Sequence, residues 1–244
     1  MAKIFIGIPE HKPWQEFNDS LSQFLPIVKQ SHDIEVYRVR GKSLVDAQND
    51  IAEVFLASDK DYLLLLEEDH WGHTPAMLES LLKADTYMCA INYYSRHRGK
   101  LSCLLQYTGN PDYRKKYKEL HYTDGIHDCD LAPFGMTLIK RETFDIINKP
   151  YFNINGYSDY IDGVVATDQA FCDELISNGI YPKGCFDYVL THRGITKDNY
   201  IELRKMDIMK SFEEAENKVI KYYTDLILEK RKLKDTPTLK ETLV

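Results

Sequence analysis

Three carboxylates, Glu67, Glu68 and Asp69, follow directly on the apolar run YLLLL at residues 62–66. Acids in a row at the end of a buried segment repel one another and resist desolvation. A hard divalent cation relieves both costs, since it takes oxygen ligands and offsets negative charge. Alternate residues of an extended segment point the same way, so Glu67 and Asp69 are expected to share one ion or its waters. The competing reading is a solvated loop after a strand; the YLLLL run and the strand-end position favour the metal. Other clusters carry less. His70 and His73 flank Trp71 as a metal pair would, but their i, i+3 spacing in a loop lacks helical geometry. Asp128-Cys129-Asp130 repeats the acid-x-acid spacing with no apolar strand leading into it. Arg96, Arg98 and Lys100 fit either a grip on a diphosphate or anionic acceptor, or a solvated loop. Tyr93, Tyr94, Tyr157 and Tyr160 fit either stacking on sugar rings or ordinary packing.

These residues need elements to hold them. Residues 3–9 (KIFIGIP) read as a buried strand stopped by Pro, with a loop over residues 10–14 at its carboxyl end. Residues 33–39 alternate as a second strand. Ser43, with Asp46 three residues on, opens a helix through Ala57 whose core face includes Leu44, Ile51 and Phe55. Residues 62–66 form the next strand, Thr74-Pro75 starts a helix through Leu82, and residues 87–94 form another strand. Strand and helix in alternation predict an α/β fold, a mainly parallel central sheet with helices on both faces. Ligands of such sheets sit outside the carboxyl ends of the strands, where the acidic cluster falls.

Residues 96–129, polar and rich in Tyr and Lys, are expected to be loops and short elements. Order returns with a strand at residues 134–139 and a short helix at 141–147. Thr167 caps a helix through Ser177 that Gly179 stops. A final strand at residues 185–190 ends at Thr191-His192-Arg193-Gly194. Beyond it, Met209, Phe212, Val219, Tyr223 and Leu226 fall at helical spacing in a charged segment. The expected division is a domain over residues 1–198, a helical C-terminal extension over 199–234 and a flexible tail over 235–244.

The 244 residues are 43% hydrophobic and 28% charged, enough for a normal core under a solvated surface. The net charge of -7, with no long basic stripe outside the C-terminal segment, disfavours general nucleic-acid binding. One local pocket for a small phosphorylated ligand is compatible with that charge. The five cysteines, Cys89, Cys103, Cys129, Cys172 and Cys185, include no C-x-x-C pair, so neither a disulfide framework nor a zinc knuckle is expected. No signal-peptide core follows Met1 and no apolar run is long enough to span a bilayer, so a cytoplasmic protein is expected.

The stretch at residues 45–71 (VDAQNDIAEVFLASDKDYLLLLEEDHW) resembles the core of GT-A glycosyltransferases, in which a helix with an Arg-Asn pair precedes an apolar strand ending in a D-x-D-type motif. Asn49 matches the Asn, and Glu67-Glu68-Asp69 matches the acidic motif in an E-x-D form. FGMTLIKRETFDII is similar to the family's strand and short helix beyond the acceptor region. TDQAFCDEL is similar to the helix start that presents a catalytic carboxylate, here Asp168. His192 in THRG is similar to a C-terminal His that completes the metal or diphosphate site. The resemblance covers residues 3–194 and rests on the order and spacing of these motifs. Gln48 departs from it, standing where an Arg is common, and Thr167 stands where a second acid would precede Asp168.

The resemblance implies a GT-A (nucleotide-diphospho-sugar transferase) fold and transfer of a sugar from a UDP- or GDP-linked donor to a hydroxyl of a glycan or other acceptor. It implies Mn²⁺ or Mg²⁺ held by Glu67, Asp69 and His192, which would neutralise charge on the leaving diphosphate. Pro9, Glu10, Asn49 and Glu68 are then expected to line the nucleotide site, with His11 beside them; an ordinary strand exit is the alternative for the residues after the first strand. Arg38 and Arg40 end the second strand where a base or phosphate contact is open. Asp168 would take the proton from the acceptor hydroxyl; alternatively it only complements the helix dipole. The C-terminal helix is expected to pack on the domain or pair two subunits. A sugar nucleotidylyltransferase and a non-catalytic sugar-nucleotide or glycan-binding module are the other two functions weighed. The first is disfavoured because KIFIGIPEHKPW lacks a Gly-rich phosphate loop.

Overall fold

Side chains of the first strand, β1 (Lys3–Glu10), divide cleanly between two cores: Ile4, Ile6 and Ile8 enter one and Phe5 the other. The same alternation recurs in β3 (Tyr62–Leu66), whose Leu63 and Leu65 join Phe5 while Leu64 and Leu66 join the isoleucines. A sheet with apolar side chains on both faces must be covered on both, and it is. A computed structural model of the chain describes residues 1–11, 14–94, 104–109, 117–153 and 167–192. The chain divides into two compact units, Met1–Tyr200 and Ile201–Val244. The second unit, with the expected helical extension, tail and subunit contact, lies outside the described residues. So do Arg96, Arg98, Lys100, Cys103, Tyr157, Tyr160, Arg193 and Gly194.

One face of the sheet is covered by α1 (Gln15–Ser31) and α3 (Pro75–Lys83). The other carries α2 (Leu44–Ala57), α4 (Thr167–Ser177) and a 3-10 turn over Arg141–Asp145. Ser43 and Thr74 cap α2 and α3 as their sequences require, accepting from the backbone N–H of Asp46 at 3.2 Å and of Met77 at 3.3 Å. Helix α1 was not anticipated. Pro26 lies inside it and reads as a breaker, but Phe17, Leu21, Phe24 and Val28 form a buried stripe at helical spacing. Burying four such side chains, at about 1.5–3 kcal/mol each, outweighs the roughly 3 kcal/mol an internal proline costs.

The sheet includes β2 (Asp33–Arg40), β5 (Met88–Tyr93), β9 (Met136–Lys140) and β10 (Lys183–His192), and runs in the order β2-β1-β3-β9-β5-β10. Strands β1, β2, β3, β5 and β10 point the same way; β9 is inserted against that direction, antiparallel to both β3 and β5. The mainly parallel α/β sheet with helices on both faces is therefore present, with one reversed strand that periodicity did not show. Two short strands extend β10 on its far side, β4 (His70–Trp71) and β8 (Ile126–Asp128), both antiparallel to it. A separate hairpin pairs β6 (Leu105–Tyr107) with β7 (Tyr117–Glu119), so the polar stretch expected as loops and short elements contains three short strands among its described residues. No helix among the described residues is long and apolar enough to cross a membrane. Cys89, Cys129, Cys172 and Cys185 are free and buried.

Close packing at two points fixes how the layers meet. A Cβ on Gly7 would lie 2.2 Å from Ile51 Cγ2, so β1 and α2 touch at a distance only glycine allows. Arg141 closes the opposite end of α2, where the last carbonyls lack helical partners. Its guanidinium donates to the carbonyls of Phe55, Leu56, Ser58 and Lys60 at 2.7–3.0 Å and lies 4.6 Å from the centre of the Phe55 ring. Replacing Arg141 by Ala takes the guanidinium donors from all four carbonyls, of which Phe55's keeps the Ser58 N–H and hydroxyl, and should cost about 2–4 kcal/mol. Thermal denaturation should register this as a fall on the order of 10 °C, and Arg141→Lys should restore only part of it, since an ammonium cannot span the four acceptors.

Candidate active site

Because the long strands other than β9 run in parallel, their carboxyl ends share one edge of the sheet. Asp69 and His70 follow β3 there, Tyr93 ends β5 and His192 ends β10. The chain does not stay extended through the acids: it turns at Glu68 and Asp69, with the His70 N–H donating to the Glu67 carbonyl at 3.1 Å. That turn replaces the alternation expected for Glu67 and Asp69. It delivers His70 into β4, where it stands directly opposite His192 of β10. Residues opposite one another in an antiparallel pair put their side chains on one face. The two imidazoles accordingly stack, centroids 4.4 Å apart and planes 8° from parallel, with the Tyr93 ring edge-on to both at 4.3 and 5.1 Å.

Asp69 closes the cluster. Its carboxylate lies 2.8 Å from His70 Nδ1 and 3.4 Å from His192 Nε2. Burial alone would raise the Asp69 carboxyl, but hydrogen bonds and charge from His192 and His70 outweigh it and hold it well below the usual carboxylate range. One ligand atom from each of Asp69, His70 and His192 falls within 4.8 Å of the others, the spacing a single metal ion requires. Glu67 stands at the margin, 3.8 Å from His70 Nδ1. Of the expected metal residues, the structure thus groups Asp69 with His192 and sets Glu67 beside them. It adds His70, which sequence reasoning set aside as part of a weak loop pair. The signal for His70 was its position next to the acidic run; the β4–β10 pairing that uses it is a long-range contact that no local pattern displays.

His73, the other member of that pair, is structural. It is buried between Phe17 and Phe24, ring centroids 5.8 and 6.0 Å away, and burial together with the charge on His70 pushes its imidazole down to about 3. Ser20 of α1 accepts the backbone N–H groups of Gly72 and His73, each at 3.0 Å, which leaves its own hydrogen for His73 Nδ1 at 2.9 Å. The Asp128-x-Asp130 repeat is likewise occupied: Asp128 pairs with Lys183 at 2.7 Å and Asp130 accepts the Tyr107 backbone N–H.

A cleft of about 500 Å³ opens beside the cluster, between the end of β1 (Pro9, Glu10, His11), the start of α2 (Ser43, Leu44, Ala47) and Glu67, Glu68 and Asp69. Glu68 ties the two strand ends together, its carboxylate accepting the His11 backbone N–H at 2.9 Å. Glu10 is fully buried at its side chain and pairs with Arg38, at 3.0 Å, and with Arg40. Burial opposes its charge, but the two guanidiniums prevail and hold it below its ordinary range. Asn49 is outside the cleft lining. Its amide exchanges hydrogen bonds with the Phe152 backbone, at 2.6 and 3.0 Å, and donates to the Val45 carbonyl. Phe152 in turn stacks on Phe171 of α4 at 5.1 Å, so Asn49 helps seat the helix that begins with Asp168. Gln48, which departs from the resemblance, is wholly buried, and neither atom of its amide has a hydrogen-bond partner among the described residues.

Asp168 lies in the first turn of α4, partly exposed but crowded enough that burial pushes its carboxyl up to about 6 against the hydrogen bond from the Gln169 N–H at 2.8 Å. A carboxyl poised there is protonated in mild acid and free to accept a proton near neutrality.

With this geometry in view, the solved structures supply the fold. The chain is similar to A197 from STIV, with 17% identity and a TM-score of 0.53 over 79% of this chain and 85% of that one. It is also similar to GalNAc-T7, whose structure was solved with UDP, GalNAc and Mn²⁺, with 13% identity and a TM-score of 0.50 over 84% of this chain but 48% of that one. The fold is that of the GT-A glycosyltransferases. No family model matches the chain, and no curated protein matches its sequence.

Gly135 leaves the room this cluster occupies: a Cβ there would lie 2.8 Å from His70 and 2.9 Å from Tyr93. Gly135→Ala should therefore displace His70. Divalent-metal affinity measured by calorimetry should fall tenfold or more while the far-ultraviolet circular dichroism stays native.

Proposed function

We propose that this chain is a metal-dependent glycosyltransferase that moves a sugar from a nucleoside-diphosphate donor to an acceptor hydroxyl. The observation that carries the reading is the convergence of Asp69, His70 and His192 beside the cleft at the carboxyl edge of a GT-A sheet. Two imidazoles and one carboxylate fit a first-row transition ion better than Mg²⁺, which prefers an all-oxygen octahedron. Mn²⁺ is the ion favoured, held by Asp69, His70 and His192, with Glu67 as a fourth donor or a partner to a bound water. Such an ion supplies neutralisation of the charge that develops on the leaving diphosphate.

The chain's own residues divide the remaining work. The cleft between Pro9, Glu10 and the start of α2 receives the nucleoside. Glu10, which lines the cleft, holds Arg38 and Arg40 in ion pairs behind it, and Glu68 keeps the loop after β1 against the acidic turn. Asp168 accepts the proton of the acceptor hydroxyl. Its raised pKa makes this assignment testable through pH: as an ionised base is required, transfer should rise with pH through about 6 and level off above it. Asp168→Asn should keep donor binding and abolish transfer; a variant with full activity would remove Asp168 from the reaction.

The donor site is tested by thermal shift with UDP, GDP, CDP, ADP and dTDP, each with Mn²⁺, with Mg²⁺ or with EDTA. A ligand at a hundredfold its dissociation constant stabilises by roughly 2.7 kcal/mol, a shift of about 5–10 °C for a chain of this size. One nucleotide should shift the melt with Mn²⁺, weakly with Mg²⁺ and not with EDTA, and His70→Ala should erase the shift. If no nucleotide shifts the melt, or His70→Ala leaves the manganese-dependent shift intact, the assignment fails.

A further inference from the structure

The chain has two tryptophans, and the fold brings them together. Trp14 and Trp71 meet with ring centroids 6.1 Å apart and planes inclined at 36°. Trp14 is 45% exposed, and Trp71 is half-buried. Neither is placed for the local backbone's benefit. Trp14 is the N-cap of α1, a position where Ser, Thr, Asp or Asn would satisfy a helical N–H, and its side chain makes no cap bond. Trp71 belongs to a two-residue strand at the end of the sheet path, where a large apolar ring is not needed to pair the backbone. Residues that break a local rule without local compensation are where function is to be sought.

The position of the pair is specific. Trp14 comes three residues after His11 and Trp71 two residues after Asp69, and both His11 and Asp69 line the cleft. Chain spacing of about 3.8 Å between consecutive Cα atoms keeps the pair within a sugar or two of that rim. Yet successive residues of a strand point to opposite faces, so Trp71 looks away from the side on which His70 meets His192. The pair therefore sits at the same edge of the sheet as the metal cluster, with Trp71 on the other face of β4 from His70. The clamp of Ser20 on Gly72 and His73 fixes α1 to β4 and holds the two rings in register.

We propose that Trp14 and Trp71 form a platform for a pyranose ring of the acceptor glycan. The indole face is electron-rich, and the face of a sugar ring that carries axial C–H bonds presents partial positive charge over an apolar surface. A rigid aromatic side chain offers that contact at little entropic cost. The two rings are not among the residues lining the nucleotide cleft, and the acceptor is the other substrate of the proposed transfer. This assignment rests on the glycosyltransferase reading, while the ring-binding surface itself does not.

Because both tryptophans belong to the platform, tryptophan emission, excited at wavelengths that the 17 tyrosines do not absorb, reports on it. The full chain, with Mn²⁺ and UDP present, is titrated with the methyl pyranosides of glucose, galactose, mannose, N-acetylglucosamine and N-acetylgalactosamine and with their disaccharides. At least one sugar should change the emission saturably. Trp14→Ala should weaken that binding tenfold or more, Trp14→Phe should restore most of it, and the melt shift by UDP with Mn²⁺ should be the same in all three proteins. A platform role is overturned if no sugar gives a saturable change, or if Trp14→Ala leaves sugar binding unaltered. It is equally overturned if Trp14→Ala abolishes the nucleotide shift, which would make the rings part of the donor site. Saturable, Trp14-dependent sugar binding in a protein whose melt no nucleotide shifts would retain the ring-binding surface but remove its assignment as an acceptor site, along with the transferase reading.

Discussion

The arrangement of this edge of the sheet depends on one cross-strand pair. His70 on β4 stands opposite His192 on β10, and that register stacks the two imidazoles with the Asp69 carboxylate bridging their nitrogens. Three features make the pair available. The parallel direction of β3, β5 and β10 brings their carboxyl ends to the same edge. The turn at Glu68 and Asp69 redirects the chain so that His70 runs back along β10. A register shift in β10 between Cys185 and Val189 resets the strand before it reaches His192, as bulges beside functional sites commonly do. Glycine at position 135 then leaves the volume that His70 and Tyr93 fill.

Helix α1 has a larger part in this than its polar sequence announces. Its buried stripe covers one face of the sheet, and Ser20 reaches from the same helix to hold the loop that follows β4. The neutral, buried His73 is the other half of that contact. Two histidines three residues apart in sequence thus have opposite tasks: one stands at the polar edge with a carboxylate, the other is packed between phenylalanines.

What could be read from sequence follows the range of the interaction. Ser43 with Asp46 and Thr74 with Pro75 announce their helices because a cap is settled within four residues. The parallel sheet is legible because the alternation of strand and helix permits few other layers. Helix α1 was obscured by Pro26, whose local penalty is visible while the tertiary burial that offsets it is not. The reversal of β9 leaves no mark on a fully apolar strand. At the site, motif order singled out Asp69 and His192, which the fold brings together, whereas His70 depends on a pairing of β4 with β10 across more than a hundred residues. Asn49 was expected at the nucleotide site from motif position; the exchange of its amide with the Phe152 backbone, 103 residues away, has no local signature.

The cluster also has a consequence for how the molecule assembles. Asp69 and His70 are made early and His192 late, with β5, β9 and α4 between them. Until β10 docks, the acidic turn has no imidazole partner from that strand, and an ion arriving beforehand would find an incomplete coordination sphere. Occupancy of the finished sphere would hold β4 and the acidic turn against β10. An ion there would act as a latch on β10, the last strand among the described residues, and its loss would loosen that edge of the sheet.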